Sequence, residues 1–331
     1  MKPTPLSRGA LSLCAAAMLA GCGGSQPPIG APGAIPQSPE VAEPSSVTPA
    51  YKVSGPLLYV VSADLGITPL TIYKANAHDP KPFAEITKDN YNPSGDCIDG
   101  DSTLYVTDQY NFGAFVAEYP LGHTKPLRVI TKGINTPAFC AIDASGNLWV
   151  TDIGLDDVAE YLKGATKPHA TITDGLTYPT GVTIDHAGNL YVANNMAGYS
   201  QSNIQVYGPG DKSPSRTITD SITWPVGIAV DANDILYVAN FTLGRSNVAG
   251  NVEEYRAGQS TPYQTLTDKL IHPIDVVVNK KGWLYVADWG DTTGEQVIRE
   301  FPPHSLKPSS REITKGFFSP QGLAYYPPLL P

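Results

Sequence analysis

An apolar phrase that returns six times constrains this chain more than any other feature. It reads Leu58-Tyr59-Val60-Val61, then Leu104-Tyr105-Val106, Leu148-Trp149-Val150, Leu190-Tyr191-Val192, Leu236-Tyr237-Val238 and Leu284-Tyr285-Val286. After five of the copies one residue intervenes before an acid or amide: Asp108, Asp152, Asn194, Asn240 or Asp288. The first copy is one residue longer and ends at Asp64. The aromatic positions lie 46, 44, 42, 46 and 48 residues apart. A period in that range marks stacked or radial supersecondary units.

Each repeat carries four strand signals, and the fifth shows them well. Gly227–Asp231 and Ile235–Asn240 are apolar nearly throughout, as strands covered on both faces are. Val252–Tyr255 mixes apolar and charged residues, and Pro262–Thr267 is the most polar. Prolines at or near the start of the fourth signal (Pro126, Pro168, Pro214, Pro262, Pro308) suit an exposed edge. The apolar-to-polar order is the inner-to-outer gradient of a radial blade. The first repeat lacks its innermost strand, which recurs only at Gly322–Tyr325. The expectation is therefore an all-β, six-bladed β-propeller of four-stranded blades over 53–327. The C-terminal strand completes the first blade, and 328–331 form a short tail.

The N-terminal residues point to export. Lys2 and Arg8 precede an apolar run from Ala10 to Ala20, too short to span a bilayer comfortably. The run ends in Leu19-Ala20-Gly21-Cys22, which resembles the lipobox of bacterial lipoproteins. That resemblance implies cleavage before Cys22 and lipidation of that cysteine, anchoring the chain in a membrane. Gly23, in place of Asp, favours the outer membrane if the cell has one. Residues 23–52 are proline-rich with few large apolar groups, a tether that cannot offset its own ordering entropy. The net charge of −9 and the lack of a basic stripe argue against a nucleic-acid partner. The body is expected to be monomeric.

Pro225-Val-Gly-Ile-Ala-Val-Asp with Ile235-Leu-Tyr-Val-Ala-Asn, and the matching stretch from Pro179 to Asn194, resemble the NHL repeat. NHL-repeat and gluconolactonase-like proteins are commonly six-bladed propellers. The resemblance covers the whole body and implies the fold; the same scaffold hosts binders, lactonases and lyases. The calcium-dependent lactonases of this shape carry Asn before an inner-strand glycine. Here that residue is Ser94, Thr180, Val226 or Gln321, while Phe139 and Asp275 replace the glycine itself. No metal set carries over residue by residue, nor does the His/Glu pair of streptogramin-type lyases. The expectation is no metal and no cofactor, with Ca²⁺ reserved for an enzymatic reading.

Three groups of residues are candidates for function. The loops that follow the acid/amide ring vary between repeats, and variable loops on a rigid scaffold are where binding residues tend to sit. With the segments leading into the inner strands they place Tyr110, Phe112, Tyr178, Tyr199, Trp224, Phe241 and Trp289 on one face, joined by Tyr91, His272 and Phe318. Such aromatics suit a glycan or an envelope protein. His272, Asp275 and Asp96 are the candidate catalytic groups near the central channel. The acid/amide ring itself reads as structural, each side chain bonding the backbone of the loop after it. Cys97 and Cys140 fall on adjacent inner strands with opposite parity, so they either face one another in a disulfide or point apart.

Overall fold

The computed structural model describes residues 49–62, 70–87, 92–109, 113–195, 201–242, 249–290 and 296–331. Cys22, Asp64, Tyr91, Tyr110, Phe112 and Tyr199 lie outside the described residues. Blade one comprises β1 (Leu57–Ser62), β2 (Leu70–Lys74) and β3 (Ala84–Ile86). Blade two is β4 (Pro93–Ile98), β5 (Leu104–Asp108), β6 (Phe115–Tyr119) and β7 (Arg128–Ile130). Blade three is β8 (Pro137–Ile142), β9 (Leu148–Asp152), β10 (Asp157–Tyr161) and β11 (Ala170–Ile172). Blade four is β12 (Pro179–Ile184), β13 (Leu190–Asn194), β14 (Asn203–Tyr207) and β15 (Arg216–Ile218). Blade five is β16 (Pro225–Val230), β17 (Leu236–Asn240), β18 (Asn251–Tyr255) and β19 (Gln264–Leu266). Blade six is β20 (Pro273–Val278), β21 (Leu284–Asp288), β22 (Val297–Phe301) and β23 (Glu312–Ile313). The last strand, β24 (Pro320–Tyr326), returns to blade one.

All six sheets are antiparallel with four strands each, and together they form a six-bladed β-propeller. Closure is a matter of register. β24 pairs with β1 from Leu57 opposite Tyr326 to Val61 opposite Gly322. The end of the chain thus supplies the strand that the first repeat lacks, and neither inner edge is left open.

The core lies between adjacent sheets. Leu57, Tyr59 and Ile72 of blade one pack with Leu104, Val106 and Ala117 of blade two in one buried cluster. Side chains of the Leu-Tyr-Val phrase fill such seams, with Tyr59 and Tyr285 at 1% exposure. Each buried Leu or Val contributes about 1.5–3 kcal/mol relative to exposure. Tyrosines at or next to the ends of third strands fasten the crossovers between blades. Tyr73, Tyr161, Tyr207 and Tyr255 donate through Oη to the carbonyls of Lys315, Lys132, Asp174 and Asp220 at 2.6–2.7 Å.

Around the channel the inner strands meet backbone to backbone. In blades two to six a register break follows the inner-strand proline, as where Pro93 faces Asp108 but Gly95 already faces Thr107. A Cβ on Gly95 would stand 2.6 Å from the Ala138 carbonyl, and one on Gly181 2.3 Å from that of Val226. Only glycine permits that approach. Residues 328–331 are more than a free tail. Leu329 packs on the blade five and six cluster, and Leu330 on the cluster that holds Cys140, so the segment lines the channel.

Cys97 and Cys140 face one another and are bonded, with Cα atoms 5.7 Å apart, joining blades two and three over a separation of 43 residues. Closing a loop of that size removes roughly 4 kcal/mol of unfolded-state freedom. Cys97→Ala/Cys140→Ala is expected to lower the melting temperature with the fold retained. Mass measurement after alkylation should find both thiols blocked in the native, unreduced protein.

Candidate functional site

The acid/amide ring works over a longer range than its sequence context suggests. Each of the five described residues, Asp108, Asp152, Asn194, Asn240 and Asp288, holds the crossover that precedes its own blade. Asp108 accepts from the Asn92 N–H (3.1 Å), Asn194 from Thr177 (2.7 Å) and Asn240 from Thr223 (3.1 Å). Asp152 takes the N–H groups of Asn135 and Thr136, and Asp288 those of Ile271 and His272. Asp152 and Asp288 also bind the following loop, through Gly154 and Gly290. Crossover backbone near the core needs acceptors, and the strand end lies beside it.

One residue further on, the side chain reaches the next blade. Gln109 Nε2 donates to the Pro137 carbonyl (3.0 Å), Asn195 Nδ2 to that of Pro225 (2.7 Å) and Trp289 Nε1 to that of Pro320 (2.7 Å). Gln109 and Asn195 drew no notice in the sequence; their shared offset from the acid/amide ring is the signal that finds them. Between blades five and six Phe241 occupies this position and makes an aromatic bridge. Its ring lies 6.0 Å from Trp224, 5.4 Å from His272 and 5.2 Å from Trp289. Trp224 and Phe241 are buried, whereas Trp289 and His272 are half-buried. Phe318, in the crossover two residues before Pro320, is 55% exposed. Blades five and six thus carry an aromatic ridge on one face, bonded through Trp289 to Pro320 of blade one, two residues after the exposed Phe318. Tyr178 is half-buried in the crossover to blade four, at φ +61°, with its N–H on Asp156 Oδ1 at 2.7 Å.

The channel candidates divide. The His272 ring belongs to the aromatic bridge and hydrogen-bonds through Nδ1 to the Gly290 carbonyl. Asp275 turns the other way, and its Oδ2 accepts the Leu323 N–H of β24 at 2.8 Å. Sequence neighbours across Pro273 are therefore held by different partners. Asp275 instead shares β24 with Asp96: a Cβ on Gly322 would lie 2.9 Å from Asp96 Oδ1. Both acids line a channel cavity of about 130 Å³. Asp96 is 6% exposed and neither of its carboxylate oxygens has a hydrogen-bond partner. Burial, with Asp275 nearby, pushes its carboxyl well above the usual range. Burial also raises Asp275, to about 8, against the opposing N–H bonds from Leu323 and Val276. Among the described residues, no three His, Cys, Asp or Glu side chains are disposed to hold a metal ion.

Upward shifts fix the sign of the pH dependence. The native fold favours the protonated forms of both acids, so the stability they contribute is complete below about pH 4, the unfolded value for aspartate. It drains away as pH rises, through about 8 for Asp275. Calorimetric scans across that window should show the wild-type melting temperature falling relative to Asp96→Asn/Asp275→Asn. Parallel curves would contradict the assignment.

No protein-family model and no curated protein matches the chain. Solved structures share its fold. The crystal structure of a nidogen/laminin complex is similar at 21% identity and a TM-score of 0.60, over 82% of this chain and 98% of that one. A protein of unknown function from Bacteroides caccae is similar at 12% identity and a TM-score of 0.65, over 82% and 99%. Kuenenia stuttgartiensis hydrazine synthase is similar at 18% and 0.52, over 66% and 65%. At such identities the likeness concerns the fold alone.

Proposed function

We propose that this propeller is an exported binding module, lipid-anchored at Cys22, that takes a glycan or an envelope protein on the aromatic ridge of blades five and six. The carrying observation is the ridge itself: the Trp289 ring is fixed by its bond to Pro320, and Phe318, two residues before that proline, is 55% exposed. Rigid, partly exposed aromatics lose little freedom on binding and offer large stacking area. The address rests on the lipobox-like Leu19-Ala20-Gly21-Cys22. The Cys97–Cys140 disulfide suits an oxidising compartment outside the cytosol. The proline-rich residues 23–52 serve as the spacer in this reading, and the outer membrane is the anchor site in a diderm cell.

A second reading makes the chain a lactone hydrolase or lyase acting at the channel, with Asp275, Asp96 and His272 as its groups and Ca²⁺ as its cation. Its support is the raised carboxyl of Asp275. Against it, the acids are 4% and 6% exposed, and a lactone needs access to them.

Immobilised peptidoglycan and outer-membrane extract provide the test. Phe318→Ala/Trp289→Ala is expected to reduce retention by about tenfold or more, the loss of one good aromatic contact. A control, Leu306→Ala, should leave retention unchanged. Equal retention of all three proteins would remove the ridge as the site. Ca²⁺-dependent lactone turnover lost in Asp275→Asn would favour the second reading.

A further inference from the structure

The third strands repeat a carboxylate that one blade leaves without its usual cover. Blades two, three, five and six carry Glu118, Glu160, Glu254 and Glu300 just before the strand's last aromatic residue. Each stands opposite the aromatic of the Leu-Tyr-Val phrase: Tyr105, Trp149, Tyr237 and Tyr285. On its other side, three of the four meet a partner from the outer strand or the residue before it, by hydrogen bonds for Glu118 and Glu254 and by an ion pair for Glu300. Arg128 grips Glu118 with Nε at 2.9 Å and Nη2 at 2.7 Å. Arg311 Nη2 lies 3.2 Å from Glu300 Oε2, its guanidinium 4.1 Å from the Trp283 ring centre. Tyr263 Oη donates to Glu254 at 2.6 Å and Gln264 Nε2 at 3.3 Å. In blade three the residue facing Glu160 is Ala170, which has no donor to give. Glu160 keeps one long contact, from Asn147 Nδ2 at 3.4 Å, with the exposed His169 nearby.

Space stands where the arginine side chain would be. A cavity of about 390 Å³ opens between blades three and four, at the sheet ends away from the aromatic ridge. Glu160, Trp149, Ile172 and Tyr207 line it together with the turn acids Asp143 and Asp185. No lysine or arginine lines it; the nearby Lys163 is paired with Asp101 at 2.6 Å. Trp149 is held by its Nε1 bond to Asp143 Oδ2 at 3.3 Å, so its ring is already positioned. The volume is ample for a small ligand group. A planar guanidinium matches a carboxylate bidentately and stacks well on indole.

We propose that this cavity is a binding site for a guanidinium group brought by a ligand, which occupies on Glu160 the place that Arg128 and Arg311 fill on Glu118 and Glu300. The ligand supplies in blade three what the chain supplies to itself in blades two and six. The proposal is independent of the aromatic ridge.

Titration of the purified chain with L-argininamide, followed by calorimetry and by indole NMR shifts, tests it. Saturable binding is expected, with L-citrullinamide, the neutral isostere, at least about tenfold weaker. Glu160→Gln should weaken argininamide by a similar factor. Ala170→Arg should abolish binding and raise the melting temperature, because the side chain then fills the site. A Gly-Arg-Gly peptide that binds as well as argininamide assigns the site to an arginine on a partner protein. Binding of argininamide alone assigns it to a small free guanidine. The proposal is overturned if the wild type shows no saturation up to about 10 mM, where one bidentate pair should register. It is equally overturned if Glu160→Gln binds as tightly as the wild type. Should Ala170→Arg not fold, Glu160→Gln and Trp149→Leu carry the same decision.

Discussion

Everything in this propeller depends on how closely the inner strands approach one another. At Gly95, Gly181, Gly227 and Gly322 a single added methyl would collide with the neighbouring blade, by as much as a 1.9 Å contact at Gly227 with Asp275 Oδ1. Hydroxyls complete the contact: Thr107 Oγ1 donates to the Ala138 carbonyl at 2.7 Å and Thr180 Oγ1 to that of Pro225 at 3.1 Å. A ring drawn this tight leaves a channel of about 130 Å³. Acids placed in it lose water and tend to keep their protons. The disulfide and residues 328–331 add to the same enclosure.

That enclosure moves recognition to the ends of the sheets. At one end, the residue after each acid or amide first serves the scaffold, as Gln109, Asn195 and Trp289 do in bonding to the next blade. Only where that residue is aromatic does bracing also create a surface. The ridge of Trp224, Phe241, Trp289 and Phe318 is thus a by-product of blade contact as much as a loop decoration. At the other end, the repeats differ by whether an outer strand covers the third-strand glutamate, and in blade three it does not.

The architecture was legible because it is periodic. A short apolar phrase that returns every 42–48 residues between turns reads as an interior strand, and the missing first strand recurs only in Gly322–Tyr325. What the sequence concealed depends on neighbours far along the chain. Parity left Cys97 and Cys140 either bonded or apart, and the blade packing brings them together. The ring residues serve crossovers 16 or 17 positions upstream, which local turn chemistry does not foresee. Trp224 and Phe241 read as loop aromatics, yet are 8% and 5% exposed because the adjacent blade covers them. His272 and Asp275 are close in sequence and divided by the bend at Pro273.

Carboxyl footprinting of the folded chain with a water-soluble carbodiimide and an amine, read by peptide mass spectrometry, tests the central claim that the tight ring withholds its channel from solutes. The account predicts that Asp96 and Asp275 stay unlabelled in the native protein and are labelled once denaturant unfolds it. Labelling of either acid in the native state would show that reagents reach the channel, and would contradict the assignment of recognition to the sheet ends.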